Sequence, residues 1–150
     1  MLYRIGQKRI YHDIYAMTKD KSEFSLKNYE IFVSGEQMNP YVKKALLQIA
    51  NNYNKKLNIE SIADDMGVSP SYLSRKFKCE TSQTFLDMLN KHRIEKAVEL
   101  MGDGKLRIYE ISYMVGFSDY KHFCNVFKKY TNMAPTDFIK SQSYIRIRSS

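Results

Sequence analysis

The sequence predicts an all-α fold, on three observations. The stretch Ile59 to Lys78 reads as two short helices joined by a tight turn. A later stretch, Ile108 to Lys128, repeats it, and a long helical segment, Phe85 to Met101, lies between the two copies.

In the first copy, residues 59–78, Ile59, Ile62, Ala63 and Met66 recur at helical spacing, and Asn58 stands where a capping residue belongs. Gly67 ends that helix at a point that calls for left-handed backbone. Ser69 then offers an N-cap and Pro70 a favoured first helical residue. Leu73 and Phe77 continue the apolar face, which leaves Ser71, Tyr72, Ser74, Arg75, Lys76 and Lys78 outward. A helix-turn-helix with a polar, basic second helix has the shape that enters a DNA major groove.

The second copy, residues 108–128, follows at an offset of 49 residues as far as Ser118. Ile108 matches Ile59, Ile111 matches Ile62, Ser112 matches Ala63, Gly116 matches Gly67 and Ser118 matches Ser69. One inserted residue then moves the offset to 50, pairing Phe123 with Leu73, Phe127 with Phe77, Lys128 with Lys78 and Thr131 with Thr81. Glycine, cap and apolar face all stay in step, and this internal repeat is the strongest signal in the chain.

The remaining elements fall around the copies. Residues 1–39 carry little chemistry: Ile10, Ile14 and Met17 share helical spacing, and Tyr29 to Val33 suits a strand or an apolar docking segment. This stretch is read as a linker or the remnant of an upstream sensory or regulatory domain. Asn39 and Pro40 open a helix with Val42, Leu46, Ile49 and Ala50 on one stripe. Thr84 and Asp87 form a capping pair for the linker helix, residues 85–101, closed by Gly102 and about 26 Å long. A last helix opens at Ala134 and Pro135 and uses Phe138 and Ile139; residues 140–150 are expected to be a loose basic tail.

The 150 residues are 43% hydrophobic and 27% charged, ordinary for a globular domain. The formal net charge is +8. Residues 1–39 hold six basic and five acidic groups, residues 40–139 fifteen and eleven, and residues 140–150 three and none. The excess therefore sits in the helical region and tail, which suits a polyanionic partner. The first residues contain no apolar core segment of a signal peptide, and no apolar run reaches the ~18 residues of a membrane helix, so a cytoplasmic location without membrane contact is expected.

Cys79, Cys124, His92 and His122 show neither CxxC nor HxxxH spacing and belong to different modules, so no metal and no cofactor is expected, and the two cysteines are read as free thiols. A phosphate-binding glycine loop, a nucleophile elbow and a zinc-hydrolase motif are all missing, and the carboxylates scatter over helices, which argues against an enzyme.

Residues 40–139 resemble the DNA-binding domain of the AraC/XylS family of bacterial transcription regulators. The resemblance is carried by Ile62, Ala63, Gly67, Ser69, Leu73, Ser74, Arg75, Phe77 and Lys78, by Arg93, Ile94 and Ala97, and by Ile111, Gly116, Phe117, Phe123, Phe127, Lys128, Lys129 and Pro135. It implies a seven-helix fold of two homeodomain-like three-helix modules joined by a long linker helix. It also implies promoter control through contact with RNA polymerase, and any dimer would form through a domain upstream of this one.

By position, the resemblance assigns base contacts to Ser71, Ser74 and Arg75 in the first module and to Tyr120, Lys121, His122, Cys124 and Asn125 in the second. Arg75 suits a bidentate pair with guanine and Asn125 one with adenine. Lys76, Lys78, Lys128 and Lys129 suit the phosphate backbone, and the helices starting at Pro70 and Asp119 offer amides to phosphate. Tandem copies on a stiff helix suit a monomer on an asymmetric site, two major-groove segments of about 4–5 bp each. Four departures stand out: Ser82 and Asn132 occupy positions where glycine is common, Ala134 replaces a capping serine, and Arg107 is a poor helix cap. The alternative is a partner-binding helical module that keeps the fold without specific DNA reading.

Overall fold

The computed structural model describes residues 38–148, so the expectations for residues 1–37 lie outside it. Seven helices and no strands occur among the described residues: α1 (Pro40–Asn52), α2 (Ile59–Met66), α3 (Pro70–Thr81), α4 (Phe85–Gly102), α5 (Ile108–Met114), α6 (Tyr120–Thr131) and α7 (Pro135–Arg148). The chain divides into two compact units between Arg93 and Ile94, within α4.

Local capping chemistry sets most helix starts. Asn39 Oδ1 accepts from the Tyr41 N–H at 2.9 Å, Asn58 Oδ1 from Ser61 at 2.8 Å, Ser69 Oγ from Tyr72 at 3.2 Å, Thr84 Oγ1 from Asp87 at 3.1 Å and Asp119 Oδ1 from His122 at 2.6 Å. The cap of α6 is thus Asp119, with Tyr120 its first residue. The residue inserted in the second copy lies before the cap, and Ser118 does not take the role its match with Ser69 suggests. Arg107 has no side-chain acceptor to offer at the start of α5. Instead Glu110, three residues on, accepts from the Arg107 N–H at 2.8 Å, half of a capping box.

The two turns are the same turn. Gly67 N–H donates to Asp64 O at 3.0 Å and Val68 N–H to Ala63 O at 3.0 Å; Gly116 donates to Tyr113 O at 3.1 Å and Phe117 to Ser112 O at 3.0 Å. Both are Schellman closures around a glycine of positive φ, 69° at Gly67 and 104° at Gly116. Ser82 (φ 59°) and Asn132 (φ 60°) confirm that the positions after α3 and α6 are left-handed, the conformation that glycine fills more easily.

The first module buries Val42, Ala45, Leu46 and Ile49 of α1, Ile62 and Ala63 of α2, Leu73 and Phe77 of α3, and Phe85, Met88 and Leu89 of α4 in one cluster. In the second, Ile111 and Val115, Phe117, then Phe123, Val126 and Phe127, and Phe138 are buried. Phe123 lies 5.3 Å from Phe117 and 5.7 Å from Phe127, which lies 5.5 Å from Phe138 (ring centroids). The second half of α4 buries Ile94, Ala97, Val98 and Met101. At about 100° per residue these four lie half a turn round from Phe85, Met88 and Leu89, so α4 has two buried faces, one for each half. It is a structural member of both modules and more than a spacer.

Residues 140–148 are not a loose tail, because α7 continues unbroken to Arg148. Ser141 Oγ donates to Phe138 O at 2.7 Å and Ser143 Oγ to Ile139 O at 3.2 Å, so both serines bond back to the preceding turn.

Candidate nucleic-acid interface

Helix α3 is anchored through Leu73, Phe77 and Thr81, all buried. That leaves its opposite side to Ser71, Ser74, Arg75, Lys76 and Lys78, all exposed. Among the described residues no carboxylate pairs with Arg75, so its guanidinium is available to a ligand. Tyr72 departs from the expected outward position. It is half-buried, accepting a hydrogen bond from Asn39 Nδ2 at 3.2 Å and meeting the edge of Tyr41 at 6.2 Å.

Helix α6 follows the same plan with larger rings. Phe123, Val126, Phe127 and Thr131 face inward. Tyr120, Lys121, His122, Asn125, Lys128 and Lys129 are exposed, and Cys124 is half-buried. The two helices differ in how their outer side chains are supported. Tyr120 stacks on Phe123 at 6.3 Å and His122 meets Phe117 edge-on at 5.6 Å, so these two rings are braced before any ligand arrives. Partial burial, followed by its hydrogen bond to Cys124 and the electrostatic influence of that thiol, pushes the Tyr120 phenol above the ordinary tyrosine range.

A buried threonine closes each outer helix. Thr81 Oγ1 lies 2.7 Å from Phe77 O and accepts from the Gln83 N–H at 3.3 Å; Thr131 Oγ1 lies 2.8 Å from Phe127 O and accepts from Met133 at 3.3 Å. The repeat of threonine at this register was visible in the sequence, although its role was not. Arg93 stood out only through the family resemblance, which gave it no role. It is 8% exposed and donates from Nε to Tyr53 O at 2.7 Å and from its guanidinium to Lys55 O at 2.8 Å, pinning the loop after α1. Burial holds its pKa below the ordinary arginine value. His92 beside it is also buried, its ring edge-on to Tyr53 at 5.0 Å.

Among the described residues no group of three or more metal-ligating side chains comes together. Nor is any helix among them long and apolar enough to cross a membrane. What the two outer helices offer is basic charge and hydrogen-bonding tips on short, rigid supports, which is chemistry suited to phosphate and base edges.

A family model described as a helix-turn-helix domain matches residues 62–141. The chain belongs to the AraC-type helix-turn-helix family. An uncharacterised response regulatory protein of Staphylococcus epidermidis is 43% identical over 100 residues, 67% of this chain and 39% of that protein. The transcriptional regulatory protein HptR of Staphylococcus aureus is 40% identical over the same shares. Among solved structures, the C-terminal domain of AraT, a response regulator from Geobacillus stearothermophilus, is similar with a TM-score of 0.67 and 34% identity, over 71% of this chain and 88% of that one. The C-terminal domain of the response regulator yesN of Fusobacterium nucleatum gives 0.61 at 31% identity, over 65% and 95%. The chain spans 39% of the length of the curated relatives it matches. AraC-type modules are DNA-binding domains of transcription regulators, and this chain carries one; the family is not one of enzymes.

Proposed function

We propose that this AraC-type domain reads a specific promoter sequence by inserting α3 and α6 into two major-groove segments. One observation carries the reading: two repeated helices, each locked inward by a buried aromatic or aliphatic face, turn a basic and hydrogen-bonding face outward. In this reading Arg75 pairs bidentately with a guanine, with Ser71 and Ser74 beside it. Asn125 pairs with adenine, and Lys121, His122, Tyr120 and Cys124 shape the second contact. Lys76, Lys78, Lys128 and Lys129 meet phosphates and supply affinity common to all sequences. The helix N-termini at Pro70 and Tyr120 add amide donors toward the backbone.

Because the two helices are tandem copies in one chain, the site is asymmetric and a monomer suffices to occupy it. The relatives named as response regulators support the view that the domain is the output half of such a regulator, acting in the cytoplasm on RNA polymerase at a promoter. A dimer would then form through the regulatory half. Selection of bound duplexes from a random pool tests the reading: the expected product is a non-palindromic motif with two informative segments. A pool that shows no enrichment, or a palindrome, would contradict it.

A second reading, a partner-binding helical module, draws on Tyr109, Tyr113 and Met114, apolar residues exposed on α5. Under that reading the basic faces bind any duplex alike, and random-pool selection enriches nothing.

A further inference from the structure

The entry of the chain into the first module is tied to its outer helix. Asn39 caps α1, yet only part of its bonding serves that cap. Its Oδ1 accepts from Tyr41 N–H at 2.9 Å and its carbonyl from Lys43 N–H at 3.0 Å, both within α1. Its own N–H donates to the Glu80 carboxylate, 3.0 Å to Oε2 and 3.3 Å to Oε1, and its Nδ2 donates to the Tyr72 hydroxyl at 3.2 Å. One residue thus bridges two points of α3 eight positions apart, about 12 Å along the helix. Tyr41 closes the bridge from the side, its ring at 83° to that of Tyr72.

The positions bridged flank Ser74, Arg75 and Lys78. A helix docked by Leu73 and Phe77 alone keeps some freedom to slide or roll on its apolar face, since dispersion contacts are weakly directional. Hydrogen bonds near both ends of the helix remove that freedom, and the one to a carboxylate is of the stronger, charge-assisted kind. The second module is built otherwise. The positions matching Tyr72 and Glu80 are His122 and Tyr130, whose rings meet Phe117 and Lys129.

We propose that Asn39, Tyr72 and Glu80 are positioning residues that set the base discrimination of α3, although none of the three is itself a base reader. The inference rests on α3 being a reading helix. A group held within a fraction of an ångström of its bidentate geometry discriminates bases; the same group allowed to drift still attracts phosphate but separates bases poorly. The consequence is confined to the DNA segment that α3 reads.

The test uses the full chain and its selected duplex, with single base-pair changes placed in each half, and measures dissociation constants for Glu80→Ala, Glu80→Gln, Tyr72→Phe and Arg75→Ala. Both Glu80 variants lose the same charge, so both bind all duplexes more tightly; only Gln keeps an acceptor for the Asn39 N–H. Glu80→Ala and Tyr72→Phe are expected to reduce discrimination in the α3 half by about three- to tenfold, the worth of one net hydrogen bond. Discrimination in the other half stays unchanged, and Glu80→Gln retains most of it in the α3 half. If Arg75→Ala lowers discrimination in the α3 half while Glu80→Ala and Tyr72→Phe do not, the positioning role is overturned and the reading by α3 stands. Equal losses in both halves, tracking a lowered melting temperature, reduce the bridge to a fold contact and also overturn it. If Arg75→Ala itself leaves every ratio unchanged, the reading by α3 fails and the positioning role falls with it.

Discussion

At Arg75 an exposed guanidinium stands on a well-anchored helix with no carboxylate partner among the described residues, an arrangement suited to a guanine edge. Arg75→Ala is expected to lose about 1–3 kcal/mol of discrimination at one or two base pairs, with the melting temperature unmoved because the side chain is exposed. Binding to a panel of singly substituted sites checks this. Gly67 is a different kind of residue: an added Cβ meets nothing within 4 Å there, so substitution strains only the backbone at φ 69°. Gly67→Val is therefore expected to destabilise the first module by at least about 1–3 kcal/mol through that backbone strain, and thermal or urea unfolding measures it. Caps and turn glycines were legible in the sequence since their chemistry is satisfied within a few residues. Tyr72 was not: its bond to Asn39 spans 33 positions, and neither periodicity nor composition records such a pairing. The role of Arg93, bonded to carbonyls about 40 residues away, escaped for the same reason.

Among the helices, α3 and α6 were recognisable because each alternates one buried face with one basic face, and the repeat aligned the two. Helix α4 was legible in extent but not in role. Its first half buries Phe85, Met88 and Leu89, its second half Ile94, Ala97, Val98 and Met101 on the other side, so no single stripe runs its length. The end of α7 was missed for a compositional reason. SQSYIRIRSS looks like a polar tail, yet α7 runs as far as Arg148, with the hydroxyls of Ser141 and Ser143 bonded back to the preceding turn. The paired threonines supply a prediction at this scale. Thr81→Val and Thr131→Val preserve shape but strip an acceptor from a partly buried N–H and leave a buried carbonyl without its hydroxyl donor, and each is expected to cost about 1–3 kcal/mol of stability by denaturant unfolding. The Val at 131 should fall on the second module, the Val at 81 on the first, as hydrogen exchange would resolve. Lys128→Ala, on the exposed end of α6, is instead expected to weaken all sequences alike and to flatten the log K against log salt slope by about one unit.

For the molecule as a whole, the sequence carried the fold through its repeat: two copies of cap, glycine and apolar face left little freedom for any other architecture. The candidate interface was less legible. Eleven of the twelve side chains assigned to DNA are exposed and Cys124 is half-buried against Tyr120, but what orients them lies in long-range bonds to Asn39 and in rings packed beneath Tyr120 and His122. The net charge of +8 ensures attraction to any duplex, so affinity alone says little about reading. Specific reading by α3 and α6 is tested most directly by a mobility-shift titration of the full chain against its selected duplex and a scrambled one, repeated over a range of salt. The expected result is a preference of about a thousandfold or more for the selected duplex, with both affinities falling as salt rises. Equal affinity for the two duplexes at every salt concentration would contradict it.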